Sequence, residues 1–466
     1  MCVTYQSGAD TPNCHSTSHH AWRRHSLIAC LVAVLVFVGT LARADMIRDA
    51  EIEAGLESLV APLANAAGYA PGEITIRVVI NPHYNAFVAG KRTIYVHSGL
   101  LLKADGVLEF LGVMAHEIGH IKAGHVPRLD EAQQQASGAA ALATIAAMAI
   151  AAGGSDAATG VLIGGIDRAN RVFLTSVRRN ESVADEIGLA LMDKAALSSV
   201  GLRNVMQRLA RQRALPESRQ SVYYSTHPGA VDRLQALQDH VNQSPHSAQP
   251  APSDAVHLYN RIATKLYAWT EAPQRVLDTG GDRDQGAAHN SGDRRYAMAI
   301  AAYRQGDLTA ALDHMDNLVA VYPQDPYFHE FRGDVLFALA RPADAAAALE
   351  RALQFRPDSP LVQLTLGRAL VATGDATQLP RAIESLAAAR AGEPLWAFPA
   401  RQHAIALGRA GQIAAADIAL AEEAILHGDN QLAVQLARRA ISRDVVDPVL
   451  LSRANDIIFR YSGASD

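Results

Sequence analysis

The order of apolar and polar positions divides the chain into stretches of different period. From Met46 to Ala67 the apolar residues Ile47, Leu56, Leu59, Val60 and Leu63 recur at helical spacing, and Arg48, Asp49, Glu51 and Glu53 fill the first turns. Acids there suit the positive end of a helix dipole, so the pattern predicts an amphipathic helix. Glu73–Asn81 (EITIRVVIN) and Thr93–His97 (TIYVH) are β-rich, with Gly90-Lys91 as a turn after Ala86-Phe87-Val88. A small sheet is expected before the next helix.

That helix is expected from about Asp105 to His125. Val107, Leu108, Phe110, Leu111, Val113, Met114, Ile118 and Ile121 make it apolar nearly all round, which marks a buried helix. Yet His116, Glu117 and His120 stand in its middle. Polar groups at such a place are costly unless paired or bound to a metal.

Residues Gly138–Gly165 carry one charge, Asp156, and two short apolar stretches around Gly153-Gly154-Ser155. They read as a helical lid or a membrane-surface segment beside the active site, with plain core packing as the alternative. Neither half reaches the ~20 residues of a spanning helix. Asn170–Asn242 is again helical in pattern. Gln243–Ser253 (QSPHSAQPAPS) reads as a linker, His257–Thr270 as a helix, and Asp278–Arg294 as a second loose stretch. Beyond it Pro326, Pro360 and Pro394 stand 34 residues apart, and Gly306 and Gly374 stand 68 apart with Ala340 midway. A 34-residue unit of helix, turn and Ala-rich helix resembles the tetratricopeptide repeat. Helices near Ala414–Leu426 and Gln431–Ser442 extend the array.

The expected fold is mainly α: the first half, by the HExxH spacing of His116, Glu117 and His120, resembles a zincin protease domain with a small β-sheet, followed by an α-solenoid of tetratricopeptide repeats. The expected division is an export signal at 1–44, a protease domain at 45–242, a linker with one helix at 243–294, and repeats at 295–466. The signal rests on Arg23, Arg24 and His25 ahead of the apolar run Leu27–Leu41, then the small-x-small site Ala42-Arg43-Ala44. Cys2, Cys14 and Cys30 are the chain's three cysteines, so its removal leaves no thiol and excludes a disulfide scaffold or cysteine active site. Composition fits an ordered protein: 49% hydrophobic and 19% charged, with a net charge of −5. No basic stripe calls for nucleic acid.

The chemistry centres on His116-Glu117-Ile118-Gly119-His120. Residues i and i+4 share one helix face, so two imidazoles there can bind one zinc ion, with Glu117 beside them as general base. A third ligand is needed. Glu181 is the best candidate, and Asp185, one turn on, can hold a ligand imidazole by its other nitrogen. The alternative HExxHxxGxxH pattern fails, since Gly124 and His125 fall at the wrong places. His125 reads as a helix-end or supporting residue and not as a ligand.

His116, Glu117 and His120 with Glu181 and Asp185 resemble the gluzincin family that contains the HtpX heat-shock protease and the CAAX prenyl proteases. Asn85-Ala86-Phe87, Ile94-Tyr95-Val96 and Gly99-Leu100-Leu101 look like that family's edge-strand hairpin. Thr226-His227-Pro228 with Arg233 looks like its late His-Pro motif. By this resemblance His227 is a fourth zinc ligand that moves away for catalysis. Read from the residues alone, His227 or Arg233 serves as an oxyanion donor, or the segment is a plain His-Pro turn.

The expected enzyme is a zinc metalloendopeptidase holding one Zn2+ per chain. Glu117, His227 and Arg233 are its catalytic candidates. An exposed sheet edge would take extended strands, which makes unfolded or unassembled polypeptides the expected substrates. The tandem of signal, protease domain and repeats resembles periplasmic members of the family. This implies a periplasmic location, with the outer-membrane β-barrel assembly machinery as partner of the repeats. A membrane-surface contact through 138–165 is a further expectation. The rival reading is a chaperone or adaptor whose zinc site is self-inhibited.

Overall fold

The computed structural model describes residues 46–125, 177–216, 220, 221, 223, 224, 227–283, 291–443 and 447–462. The expected export signal, the apolar segment 138–165 and Thr226 lie outside them.

The chain enters through a short strand β1 (Met46–Ile47) and helix α1 (Ala50–Ala67). The helix begins later than the apolar pattern suggests, because Asp49 caps it. The Asp49 carboxylate accepts from the backbone N–H of Glu51 at 3.1 Å and of Ile52 at 2.9 Å, which satisfies two orphan donors of the first turn. Residues 46–47 are thereby freed to pair with β2 (Thr75–Val79). Strands β3 (Ala86–Ala89) and β4 (Thr93–His97) follow, and the sheet order is β1-β2-β4-β3. The β2–β4 pair is parallel and the other two pairs are antiparallel. Alternation along β2 and β4 sends Ile76, Val78, Ile94 and Val96 into the core. Strand β3 is an edge strand: its outer side pairs with no strand among the described residues.

Helix α2 (Ser98–Lys103) leads to α3 (Val107–Ala123), which ends at Gly124 in the left-handed region, φ 65°. Helix α4 covers residues 177–194. Helices α5 (Val200–Arg211) and α6 (Ala230–Gln243) follow among the described residues. The N-terminal core joins Leu56 and Leu63 of α1, Ile76 and Ile94 of the sheet, Phe110 and Met114 of α3, and Leu202 and Met206 of α5.

Helix α7 (Ser253–Thr270), expected as a helix within a linker, is packed on both sides. Tyr259, Ile262 and Leu266 belong to the N-terminal core. Tyr267 and Ala268 belong to a second core with Tyr296, Met315 and Phe331. A short helix α8 (Pro273–Asp278) precedes the repeats.

Among the described residues the repeats form five helix pairs: α9 and α10 (Ser291–Gln305, Leu308–Val321), α11 and α12 (Pro326–Ala338, Pro342–Phe355), α13 and α14 (Pro360–Ala372, Leu379–Gly392), α15 and α16 (Ala397–Arg409, Ile413–Leu426), α17 and α18 (Asn430–Ile441, Pro448–Tyr461). Pro326 and Pro360 occupy first helical positions, where a missing N–H costs nothing. Pro394 does not. A 3-10 turn at Ala376–Gln378 lengthens the third unit, so its successor starts at Ala397 and Pro394 falls in the loop before it. The last helix, α18, was not marked by the period.

An ionic seam runs between α1, α7 and the repeats. Buried Lys265 on α7 meets Asp49 at 2.8 Å and Glu51 at 3.0 Å. Arg261 pairs with Glu51 and, at 2.6 Å, with Asp325 at the head of α11. Arg48 joins Glu53 at 2.9 Å to Glu393, at 2.5 Å, in the loop after α14. No helix among the described residues is long and apolar enough to cross a membrane.

Candidate metal centre

The centre is built where α3 and α4 cross almost in backbone contact. A Cβ on Gly119 would lie 2.4 Å from the Ala184 carbonyl oxygen, and one on Gly188 would lie 3.1 Å from the Ala115 backbone. Only residues without a side chain allow that approach. It lays the 181/185 face of α4 against the 116/120 face of α3.

The side chains that meet there are buried: His116 and Glu117 are each 1% exposed, Glu181 3% and His227 5%. His116 Nε2 and His120 Nε2 lie 3.0 Å apart. Glu181 Oε2 is 3.3 Å from the first and Oε1 is 3.3 Å from the second. Ligating atoms of His116, His120, Glu181 and His227 all lie within 4.8 Å of one another. His227 Nε2 also stands 3.3 Å from Glu117 Oε1, without the alignment of a hydrogen bond. The Tyr223 ring lies against His227, with centroids 4.1 Å apart.

A second layer holds the first. Asp185 Oδ1 is 2.8 Å from His116 Nδ1. Arg233, on α6, donates from Nε to Asp185 Oδ2 at 2.5 Å, from one Nη to Asp185 Oδ1 at 2.7 Å, and from the other to Glu181 Oε2 at 2.8 Å. Its fork is thus turned onto the two carboxylates, a placement the sequence motif did not suggest. His120 Nδ1 lies 2.9 Å from His125 Nδ1.

The electrostatics follow from these contacts. Burial presses the His116 imidazole toward neutrality, but Asp185 and Glu181 override it and raise its pKa to about 9. His120 is pushed down by burial and by its neighbour His116, against the pull of Glu181. Burial would raise Asp185, yet the Arg233 guanidinium holds it at about 2. Glu181 is held well below the usual carboxylate range by His227, His116 and His120, which outweigh its burial. Arg233 is shifted upward by the two anions despite its own burial.

The donor set fits a zinc ion. Tetrahedral zinc with bonds of about 2.0–2.1 Å spaces its ligand atoms roughly 3.3 Å apart. The separations of 3.0, 3.3 and 3.3 Å among His116, His120 and Glu181 match that edge length. Two imidazole nitrogens so close must share either a proton or a cation. Glu117 Oε1, buried with no hydrogen-bond donor, is left as the acceptor beside them.

The structure thus brings together every site residue expected from the sequence: His116, Glu117, His120, Glu181, Asp185, His227 and Arg233. Sequence reasoning missed Tyr223 and the helix crossing at Ala184 and Gly188. An aromatic four residues before His227 and a Gly at i+4 of Ala184 were the available signals, and both are common.

Comparison with known proteins agrees in both halves of the chain. Residues 47–241 match the model of Peptidase family M48, and residues 296–360 match that of a tetratricopeptide repeat. A beta-barrel assembly-enhancing protease of Yersinia pestis is 25% identical over 301 residues, 63% of this chain and 60% of its own length. The protein of the same name in Escherichia coli is 23% identical, covering 71% of this chain and 67% of its own. Metalloprotease LoiP of Escherichia coli is 29% identical over 170 residues, 36% of this chain and 63% of its own.

Proposed function

We infer, from a chain that carries a peptidase family M48 domain ahead of tetratricopeptide repeats, that this protein is a zinc-dependent endopeptidase of the periplasm. It cuts misfolded or unassembled polypeptides and supports outer-membrane β-barrel assembly. The observation that carries the reading is the convergence of His116, His120 and Glu181 beside a Glu117 oxygen that accepts no hydrogen bond. The similar proteins named for barrel assembly support the choice of client and, with it, of compartment.

His116, His120 and Glu181 would hold the zinc. When bound, zinc supplies Lewis acidity that polarises a scissile carbonyl and acidifies water. The rest is the work of side chains. Glu117 accepts the proton of the attacking water and returns one to the leaving amine. Asp185 fixes the His116 ring with its Nδ1–H outward, leaving Nε2 free to ligate. Arg233 compensates the charge of the two buried anions, Asp185 and Glu181. The free side of β3 offers main-chain donors and acceptors to an extended segment, which selects polypeptides lacking a complete fold. The repeats supply a surface for protein partners, which we take to be the barrel-assembly machinery and its clients.

The adaptor reading has one supporting observation. His227 stands in the cluster as a fourth ligating group and faces Glu117. With His227 on the metal no position is left for substrate, so the resting protein would bind clients without cutting them.

Glu117→Gln separates the two. The substitution keeps the ligands and removes the base. The variant should retain one zinc per chain by elemental analysis and lose client turnover by at least about a hundredfold. Unchanged turnover with zinc still bound would remove the protease reading and leave the adaptor.

A further inference from the structure

The two histidines of the HExxH pair are supported differently. Beyond its metal-facing nitrogen, each has one ring nitrogen left, Nδ1, and each Nδ1 has a partner. For His116 it is the Asp185 carboxylate at 2.8 Å. For His120 it is not a carboxylate, a backbone carbonyl or a charged group but another imidazole, that of His125, with Nδ1 to Nδ1 at 2.9 Å. The two rings stand at 70° with centroids 5.0 Å apart, so the contact is edge-on. His125 is 5% exposed. It reaches this place because Gly124 closes α3 in the left-handed conformation, φ 65°, which turns the chain back over the last helical turn.

We propose that His125 is a positioning residue for the metal: its Nδ1 lone pair receives the Nδ1–H of His120, fixing the His120 ring and the tautomer that exposes Nε2. The inference rests on the zinc reading above, since only a ligating His120 needs Nε2 unprotonated.

The tautomers then follow without choice. A ligating Nε2 carries no proton, so His120 carries its proton on Nδ1 and is the donor. His125 Nδ1 must accept, so the single proton of a neutral His125 sits on Nε2. Two Nδ1–H groups cannot face each other at 2.9 Å. The centre is therefore asymmetric. His116 leans on the Asp185 carboxylate, while His120 leans on the His125 imidazole. Buried Glu117, Glu181 and Asp185 already place three carboxylates around this site, with Arg233 as the resident cation. The imidazole behind His120 orients the second ligand through its Nδ1.

The test compares His125→Leu, which keeps bulk and removes the acceptor, with His125→Gln, whose side-chain oxygen can accept the same hydrogen. Zinc affinity is measured in the full-length mature protein by competition with a chromophoric chelator. The visible spectrum of the cobalt-substituted protein reports ligand geometry. His125→Leu should bind zinc about 10- to 100-fold more weakly, the range for losing such a support. His125→Gln should recover most of that loss and the wild-type cobalt spectrum. The inference is overturned if His125→Leu binds zinc within threefold of wild type. It is equally overturned if His125→Gln is as weak as His125→Leu while both show native circular dichroism, because His125 would then act by packing alone. Wild-type protein that binds no zinc would instead overturn the reading on which the inference rests.

Discussion

A pair of residues with almost no side chain decides whether the metal centre exists. Gly119 lies inside the HExxH motif, and its Cα faces the Ala184 carbonyl of α4 so closely that a methyl group would sit 2.4 Å from that oxygen. Two effects oppose each other in Gly119→Ala. Alanine gains roughly 1 kcal/mol of helix propensity over glycine. Overpacking a close contact costs about 1–3 kcal/mol when the partner can yield, and here the partner is backbone. The clash should win: the urea midpoint should fall, and zinc affinity should fall more than tenfold because α4 carries Glu181 and Asp185 outward. Zinc affinity unchanged in the alanine variant would show that α3 and α4 do not set the ligand geometry. At this scale the sequence displayed the residues that cluster, since chemistry restricts which residue types can ligate and in what spacing. It did not display the support. The Arg233 fork reaches Asp185 and Glu181 across 48 and 52 residues of chain, and no local pattern encodes such a distance.

Among the elements, the repeats show how a period can be right while its landmarks shift. Gly306 and Gly374 both close the turn between paired helices with positive φ, 84° and 73°. Ala340, midway between them in sequence, holds the same turn with φ 57°, although it carries a Cβ. An L-residue there costs about 1–2 kcal/mol, against roughly 0.4–1 kcal/mol of extra chain entropy lost when glycine is ordered instead. Ala340 is exposed, so no packing is lost on its removal. Ala340→Gly should therefore stabilise the protein by about 0.5–1 kcal/mol, visible as a higher urea midpoint at unchanged slope. A lower midpoint would mean that the turn is not strained at this residue. The proline register was a less faithful guide. Pro326 and Pro360 mark helix starts, but the Ala376–Gln378 turn moves the next start past Pro394. An inserted turn alters spacing without altering hydropathy, so the pattern of apolar positions does not reveal it.

For the whole molecule the informative element is α7, whose sequence context of Pro, Ser and Gln suggested a tether. Its apolar positions serve two cores at once, with Tyr259 and Ile262 on one side and Tyr267 and Ala268 on the other. The seam of Lys265, Arg261, Glu51, Asp49 and Asp325 ties the same helix to α1 and to the repeats. Ala50 of α1 itself belongs to a repeat core. Breaking one partner of a buried ionic group costs about 3–5 kcal/mol, so neither half can unfold without exposing charges of the other. The chain from residue 46 onward should therefore unfold as one cooperative unit. Its tryptophans make this measurable. After residue 45 the chain holds Trp269, packed on Tyr303 and Phe331, and Trp396, beneath Arg48; neither lies in the candidate metal centre. Zinc at a thousand times its dissociation constant stabilises the folded state by about 4 kcal/mol. In a single unit that gain must appear in tryptophan fluorescence and far-ultraviolet circular dichroism alike, with coincident curves before and after zinc. A tryptophan transition indifferent to zinc, beside a dichroism signal that splits in two, would mean that the helix and its ionic seam join the halves without coupling them.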